Sequence, residues 1–128
     1  MMNNTILFVD DEENILKLLE KAFTKVGYAV KTARSGEKAL EILQNEDIHV
    51  MFFDLNMTGM SGLELCRQVK QARPMDMVFA LTGYASLFEL SECREVGFDD
   101  YFKKPVDLKL LRRVAKDAFE KRARWKKG

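Results

Sequence analysis

Five times along this chain a short β-type apolar run gives way to apolar residues at helical spacing, and that alternation restricts the fold more than any other feature. Thr5 to Val9 is compact and strand-like; Ile15, Leu18, Leu19, Ala22, Phe23 and Val26 then recur at helical spacing and stop at Gly27. Ala29 to Ala33 reads as a second strand, and Ser35 as the N-cap of a helix carrying Ala39, Leu40 and Leu43. Val50 to Phe53 is apolar throughout, as suits a strand covered on both faces. After a glycine-containing loop, Ser61 and Glu64 are spaced as a capping box for a helix with Leu63, Cys66 and Val69 that closes near Pro74. Met77 to Leu81 repeats the strand pattern. Ser86 and Glu89 form a second capping-box pair, and Leu87, Leu90 and Val96 carry the following helix to Gly97. Tyr101 and Phe102 begin a short fifth strand, Lys104-Pro105 breaks the chain, and Asp107 caps a last helix with Leu108, Leu111, Ala115, Ala118 and Phe119.

Five βα units without a long linker, in 128 residues of which 47% are hydrophobic, amount to one domain. Strict alternation implies an α/β fold: a parallel sheet with right-handed crossovers and helices on both faces. In such sheets the functional crevice lies beyond the carboxyl ends of the strands, where strand order reverses. The side chains that reach it follow each strand: Asp10 and Asp11 after the first, Asp54 after the third, Thr82 after the fourth and Lys104 after the fifth. Each has an ordinary structural explanation alone. Acids cap helices, an Asp ends a strand in a turn, Thr82-Gly83 can open a loop, and a lysine is commonly a surface residue. Three carboxylates, a hydroxyl and an ammonium at one sheet edge are harder to assign to five coincidences.

Carboxylates crowded into a partly dry cleft raise one another's pKa unless a cation joins them. A hard divalent ion such as Mg²⁺ takes oxygen ligands, keeps several waters, and uses one or two carboxylates plus a phosphate oxygen. Zinc has no ligand set here. His49, the only histidine, opens the third strand far from the crevice and reads as a surface or edge residue; Cys66 and Cys93 lie in helical patterns and read as buried free thiols.

The stretches FVDDE, FFDLNMTGMSG, LTGY and YFKKP together resemble the receiver domain of two-component response regulators, from about Thr5 to about Phe119. That resemblance implies a flavodoxin-like (βα)5 three-layer sandwich with sheet order 2-1-3-4-5. It implies that Asp10 and Asp11 bind the metal, Asp11 directly and Asp10 largely through water. Asp54 would be the phosphoacceptor and a metal ligand, with the backbone carbonyl of Asn56 a further one. Thr82 would be the switch hydroxyl, Lys104 the lysine that pairs with the phosphoryl group, and Tyr101 the switch aromatic. The donor would be a phosphohistidine on a cognate sensor histidine kinase or phosphotransfer protein, and Mg²⁺ the cofactor. The chain departs from the family's frequent Met-Pro-Gly at Met57-Thr58-Gly59, which removes a φ constraint from the loop. Lys104-Pro105 is a candidate for a cis peptide.

Net charge is +1, but residues 103–128 hold eleven Lys and Arg against three acids while residues 1–102 hold ten against seventeen. Part of that basic bias, Lys109, Arg112, Arg113 and Lys116, falls on the surface of the fourth helix, fifth strand and fifth helix, where phosphorylation is expected to control a partner or a homodimer. The domain is expected to occupy residues 1–122, with 123–128 a basic tail or the start of a linker; the chain reads either as a stand-alone regulator, the reading slightly favoured, or as the receiver part of a longer protein. Direct nucleic-acid binding is not expected, because KRARWKK at 121–127 lacks a helix-turn-helix partner. A flavin or nucleotide domain would want a Gly-, Ser- or Thr-rich phosphate loop where this chain has DDEEN. A metal-dependent phosphatase would want separated acids and room for a substrate cap. No run of eighteen apolar residues would span a bilayer and no signal peptide opens the chain, so the cytoplasm is expected.

Overall fold

The computed structural model of the protein describes residues 4–84 and 86–127. Strands and helices alternate as β1 (Thr5–Val9), α1 (Glu13–Lys25), β2 (Ala29–Ala33), α2 (Gly36–Asn45), β3 (Val50–Asp54), α3 (Gly62–Ala72), β4 (Met77–Thr82), α4 (Leu87–Val96), β5 (Asp100–Lys103) and α5 (Leu108–Lys127). All strand pairs are parallel, in the order β2-β1-β3-β4-β5, so the expected flavodoxin-like three-layer sandwich is the fold observed.

The continuous apolarity of the central strands follows from coverage on both faces. In β1, Ile6 and Phe8 meet Leu16, Leu19 and Phe23 of α1 and Leu111, Ala115 and Ala118 of α5. Leu7 and Val9 point the other way, into a layer with Ala39 of α2, Leu65, Cys66 and Val69 of α3, and Cys93 and Val96 of α4. Every residue of β3 is buried, whereas the edge strands β2 and β5 keep exposed positions. A row of rings crosses the α1/α5 face: Phe8 to Phe52 at 5.4 Å, Phe52 to Phe79 at 5.1 Å and Phe79 to Phe102 at 6.2 Å between centroids. Each buried Phe stabilises by roughly 1.5–3 kcal/mol, and each such ring pair by roughly another 0.5–1.5 kcal/mol.

Several local expectations change. Strands β3 and β4 run one residue further than their apolar stretches, because Asp54 and Thr82 still pair in register with Leu81 and Lys103. Leu87, expected on the core face of α4, is 87% exposed: it opens the helix, and the buried face is instead Cys93 and Val96. Leu18 and Val26 of the α1 pattern are likewise about half exposed. Glu12, not Asp10 or Asp11, is the N-cap of α1, and its side chain makes no capping bond. Ser35, Ser61 and Ser86 do cap their helices, each accepting the amide three residues on, and Asp107 accepts the Leu110 amide at 3.1 Å. The Lys104-Pro105 peptide is cis.

At the amino ends of the strands, His49 is partly buried rather than a free surface residue. Its Nδ1 lies 2.7 Å from Asp76 Oδ1 and its Nε2 beside the Asp47 carboxylate. Arg73 and Arg122 also reach Asp76, at 3.4 Å and 3.8 Å, and the Arg122 guanidinium donates to the Met75 carbonyl. These contacts dock the last turns of α5 against the β4 entrance, and residues 123–127 continue that helix with no break after 122.

The burial contrast predicts opposite outcomes for two apolar truncations. Phe52→Ala is expected to cost about 3–5 kcal/mol in urea unfolding. Leu87→Ala is expected to change stability by less than about 0.5 kcal/mol.

Candidate functional site

Backbone pairing brings the sequence-predicted residues to one edge. The Asp10 amide donates to the Ala33 carbonyl at 3.1 Å, the Leu55 amide to Leu81 at 3.1 Å, and the Lys104 amide to Thr82 at 2.7 Å. These bonds extend the sheet past its last strand residues. Gly62 packs beneath Asp54 so closely that a Cβ there would sit 2.3 Å from the Asp54 carbonyl oxygen, which fixes the loop between β3 and α3 against the acid.

Asp10, Asp11 and Asp54 each offer a carboxylate oxygen, and the three oxygens lie within 4.8 Å of one another. Asp10 and Asp54 are almost fully buried, Asp11 only partly. Lys104 Nζ donates to Asp10 Oδ2 at 2.9 Å and stands 3.5 Å from Asp54 Oδ1 and 3.7 Å from Glu12 Oε1. The Glu12 amide donates to Asp10 Oδ1 at 2.9 Å and the Asn56 amide to Asp54 Oδ1 at 3.3 Å. Burial, and then the Asp10 charge, pushes the Asp54 carboxyl up from 3.8 to about 6, against the opposing pull of Lys104 and the Asn56 amide. Burial alone would lower Lys104; its hydrogen bond to Asp10 and the nearby carboxylates outweigh that and leave its pKa raised.

Three carboxylates against one ammonium leave a charge deficit that a divalent cation would fill. An all-oxygen donor set, with no His or Cys among the three, fits a hard ion. Asn56 adjoins Asp54, as the sequence reading requires. Thr82 is fully buried at the end of β4, but its hydroxyl turns toward α4: it lies 2.6 Å from the Tyr84 carbonyl and 2.8 Å from Glu89 Oε1. Tyr101 is 37% exposed on the edge strand. Sequence reasoning missed three participants: Glu12 beside Lys104, the Thr58 amide that donates to Asp11 Oδ2 at 3.3 Å, and Glu89. Glu89 carried a signal that pointed elsewhere, its capping-box spacing. Cys66 and Cys93 are buried free thiols, pushed up by burial to about 12 and about 11.

The family model for the response regulator receiver domain matches residues 6–116. The chain belongs to that family. This receiver domain is 34% identical over 116 residues to Sporulation initiation phosphotransferase F of Bacillus subtilis, covering 91% of the chain and 94% of that protein. It is 36% identical over 108 residues to a Cyclic di-GMP phosphodiesterase of Thermotoga maritima, covering 84% of the chain but only 29% of that relative's length. A CheY-like receiver domain protein from Methanospirillum hungatei superposes with a TM-score of 0.92 at 30% identity over 99% of this chain and 100% of that one. The BeF3-activated receiver domain of DrrB, a Thermotoga maritima protein, gives 0.84 at 34% identity over 93% and 99%.

The Asp54 shift has a definite sign. Between about pH 4 and 6 the folded protein holds a proton that the unfolded chain releases, so stability falls as pH rises through that window and levels above it. The full cost above pH 6 is about 3 kcal/mol. In EDTA, Asp54→Asn should therefore match wild type in urea unfolding near pH 4 and exceed it by about 2–3 kcal/mol at pH 7.5. Saturating Mg²⁺ should narrow that gap.

Proposed function

We propose that this receiver domain is the phosphoacceptor switch of a two-component phosphorelay, with Asp54 as the residue phosphorylated. The observation that carries the reading is the Asp54 carboxylate, buried at the end of the central strand, 3.5 Å from an ammonium and sharing one cation-sized cluster with Asp10 and Asp11. Asp10, Asp11, Asp54 and the Asn56 carbonyl would hold Mg²⁺, which when bound supplies charge neutralisation for the phosphoryl oxygens.

The chain's own groups do the rest. With a pKa of about 6, Asp54 is mostly ionised at neutral pH and its oxygen is available as nucleophile. An oxygen lone pair attacks the phosphorus of a phosphohistidine on the sensor histidine kinase or phosphotransfer protein, and the P–N bond breaks. The imidazole leaves with the bonding electrons and regains a proton at that nitrogen. Lys104 then exchanges part of its contact with Asp10 for a phosphoryl oxygen, which compensates charge as it develops. Positioning, rather than a strong base, provides most of the rate. The domain thus catalyses only its own phosphorylation and, by attack of water at the same phosphorus, its own resetting.

The new dianion offers Thr82 an acceptor, and movement of Thr82 makes room for Tyr101 to turn inward. Output then passes through α4, β5 and α5, to a partner or through a homodimer. No helix among the described residues is long and apolar enough to cross a membrane, which suits a cytoplasmic switch.

Incubation with a small phosphodonor and Mg²⁺ should add one phosphoryl group, detected by intact mass, and Asp54→Ala should abolish it. An adduct that persists in that variant would move the acceptor elsewhere. Lys104→Ala should still bind Mg²⁺ but accumulate phosphoprotein at least about tenfold more slowly.

A further inference from the structure

We infer that Glu89 is a positioning residue that holds the switch hydroxyl in its unphosphorylated orientation, a latch that must open before Thr82 can reach a phosphoryl group. The inference rests on the phosphoacceptor reading and extends it to a residue outside the cleft.

Thr82 Oγ1 is completely buried and lies 2.8 Å from Glu89 Oε1 and 2.6 Å from the Tyr84 carbonyl, while the Tyr84 amide donates to it at 3.1 Å. A hydroxyl has one proton, so it serves one acceptor at a time; both acceptors lie on the α4 side. Glu89 occupies the third position of α4, where the Ser86 side chain accepts its amide at 3.1 Å. A capping box would send the Glu89 carboxylate back to the Ser86 amide. Here that carboxylate accepts the switch hydroxyl seven residues earlier. Hydrogen bonds to an ionised acceptor are the stronger kind, so a phosphoryl group at Asp54 competes with a real partner for Thr82 rather than with solvent.

Release has a consequence at the surface. Leu87 and Phe88, 87% and 75% exposed, sit in the same first turn as Glu89. Once Thr82 turns to the phosphoryl group, Glu89 loses its donor and the turn that presents those two side chains is freed to shift. The latch therefore ties a proton on Thr82 to the outward face of α4.

A double-mutant cycle tests this, with Mg²⁺ and beryllofluoride as the phosphoryl mimic and calorimetry as the readout. Glu89→Ala should bind beryllofluoride about three- to tenfold more tightly than wild type, because the carboxylate acceptor is gone and only the neutral Tyr84 carbonyl still competes for the hydroxyl. In a Thr82→Ala background the same substitution should change affinity by less than about twofold. Glu89→Gln, which keeps an acceptor oxygen but loses its charge, should fall between wild type and Glu89→Ala. Equal shifts in both backgrounds, or no shift with Thr82 present, would overturn the latch. If wild type itself binds no beryllofluoride, the phosphoacceptor reading fails, and hydrogen exchange on the ligand-free protein decides the latch alone. Faster exchange of the α4 first-turn amides in Glu89→Ala, not increased further by adding Thr82→Ala, would support it; unchanged or additive rates would overturn it.

Discussion

The contact between the partly buried Lys104 and the buried Asp10, 2.9 Å long, is the interaction on which this fold's functional edge depends. Parallel pairing of five strands delivers Asp10, Asp11 and Asp54 to one place whether or not they repel, because the register is set by apolar side chains below them. Lys104 comes from ninety-four residues after Asp10 in the chain, directly after the end of β5, the strand beyond β4. It offsets one negative charge and leaves the rest unbalanced. Burial first, and then the Asp10 charge, lifts Asp54 toward neutrality, and the three acids form an all-oxygen cluster that would suit a divalent ion.

Asp76 shows what a buried carboxylate looks like when it is structural. It is as buried as Asp54, at 3% against 4% exposed, yet His49, Arg73 and Arg122 all stand within 4 Å of it. Partners from a loop, the end of α3 and α5 converge on a single acid. At the other pole three acids converge on a single lysine. Both poles obey the same rule, that a buried charge must be paired, but at the carboxyl-end pole one ammonium faces several acids.

Most of the fold was legible because its signals are local and repeated. The alternating periods located every element to within a residue or two at most ends, and the serine caps were visible as single residues before apolar runs. The five residues at the carboxyl edge followed from topology alone, since whatever ends a parallel strand faces the crevice. What escaped the sequence depends on side-chain direction. Leu87 fits a helical apolar pattern, but it opens its helix, where no neighbouring turn covers it. Spacing showed that Glu89 could cap; it could not show that its carboxylate would accept the buried Thr82 hydroxyl. The Asp76 partner of His49 was not visible from sequence because it approaches from a distant segment.

The loop after β3 illustrates how a departure from a family pattern acquires meaning only in three dimensions. Read as a sequence, Thr58 in place of a frequent proline merely releases a φ angle. In the structure its amide donates to Asp11 Oδ2 at 3.3 Å, a bond that proline, lacking an N–H, could not make. Asp11 is the least buried of the three acids, so it is the one whose orientation the protein must otherwise leave to water. The backbone donor orients that carboxylate beside Asp10 and Asp54 and partly offsets its charge before any ion arrives. The same bond joins the β3–α3 loop to the β1 end, so a change in the charge that Asp11 faces is transmitted to the chain directly after Asp54. Loss of proline therefore does not simply loosen the loop: it replaces a covalent constraint with an electrostatic one, whose strength depends on what the acidic cleft contains.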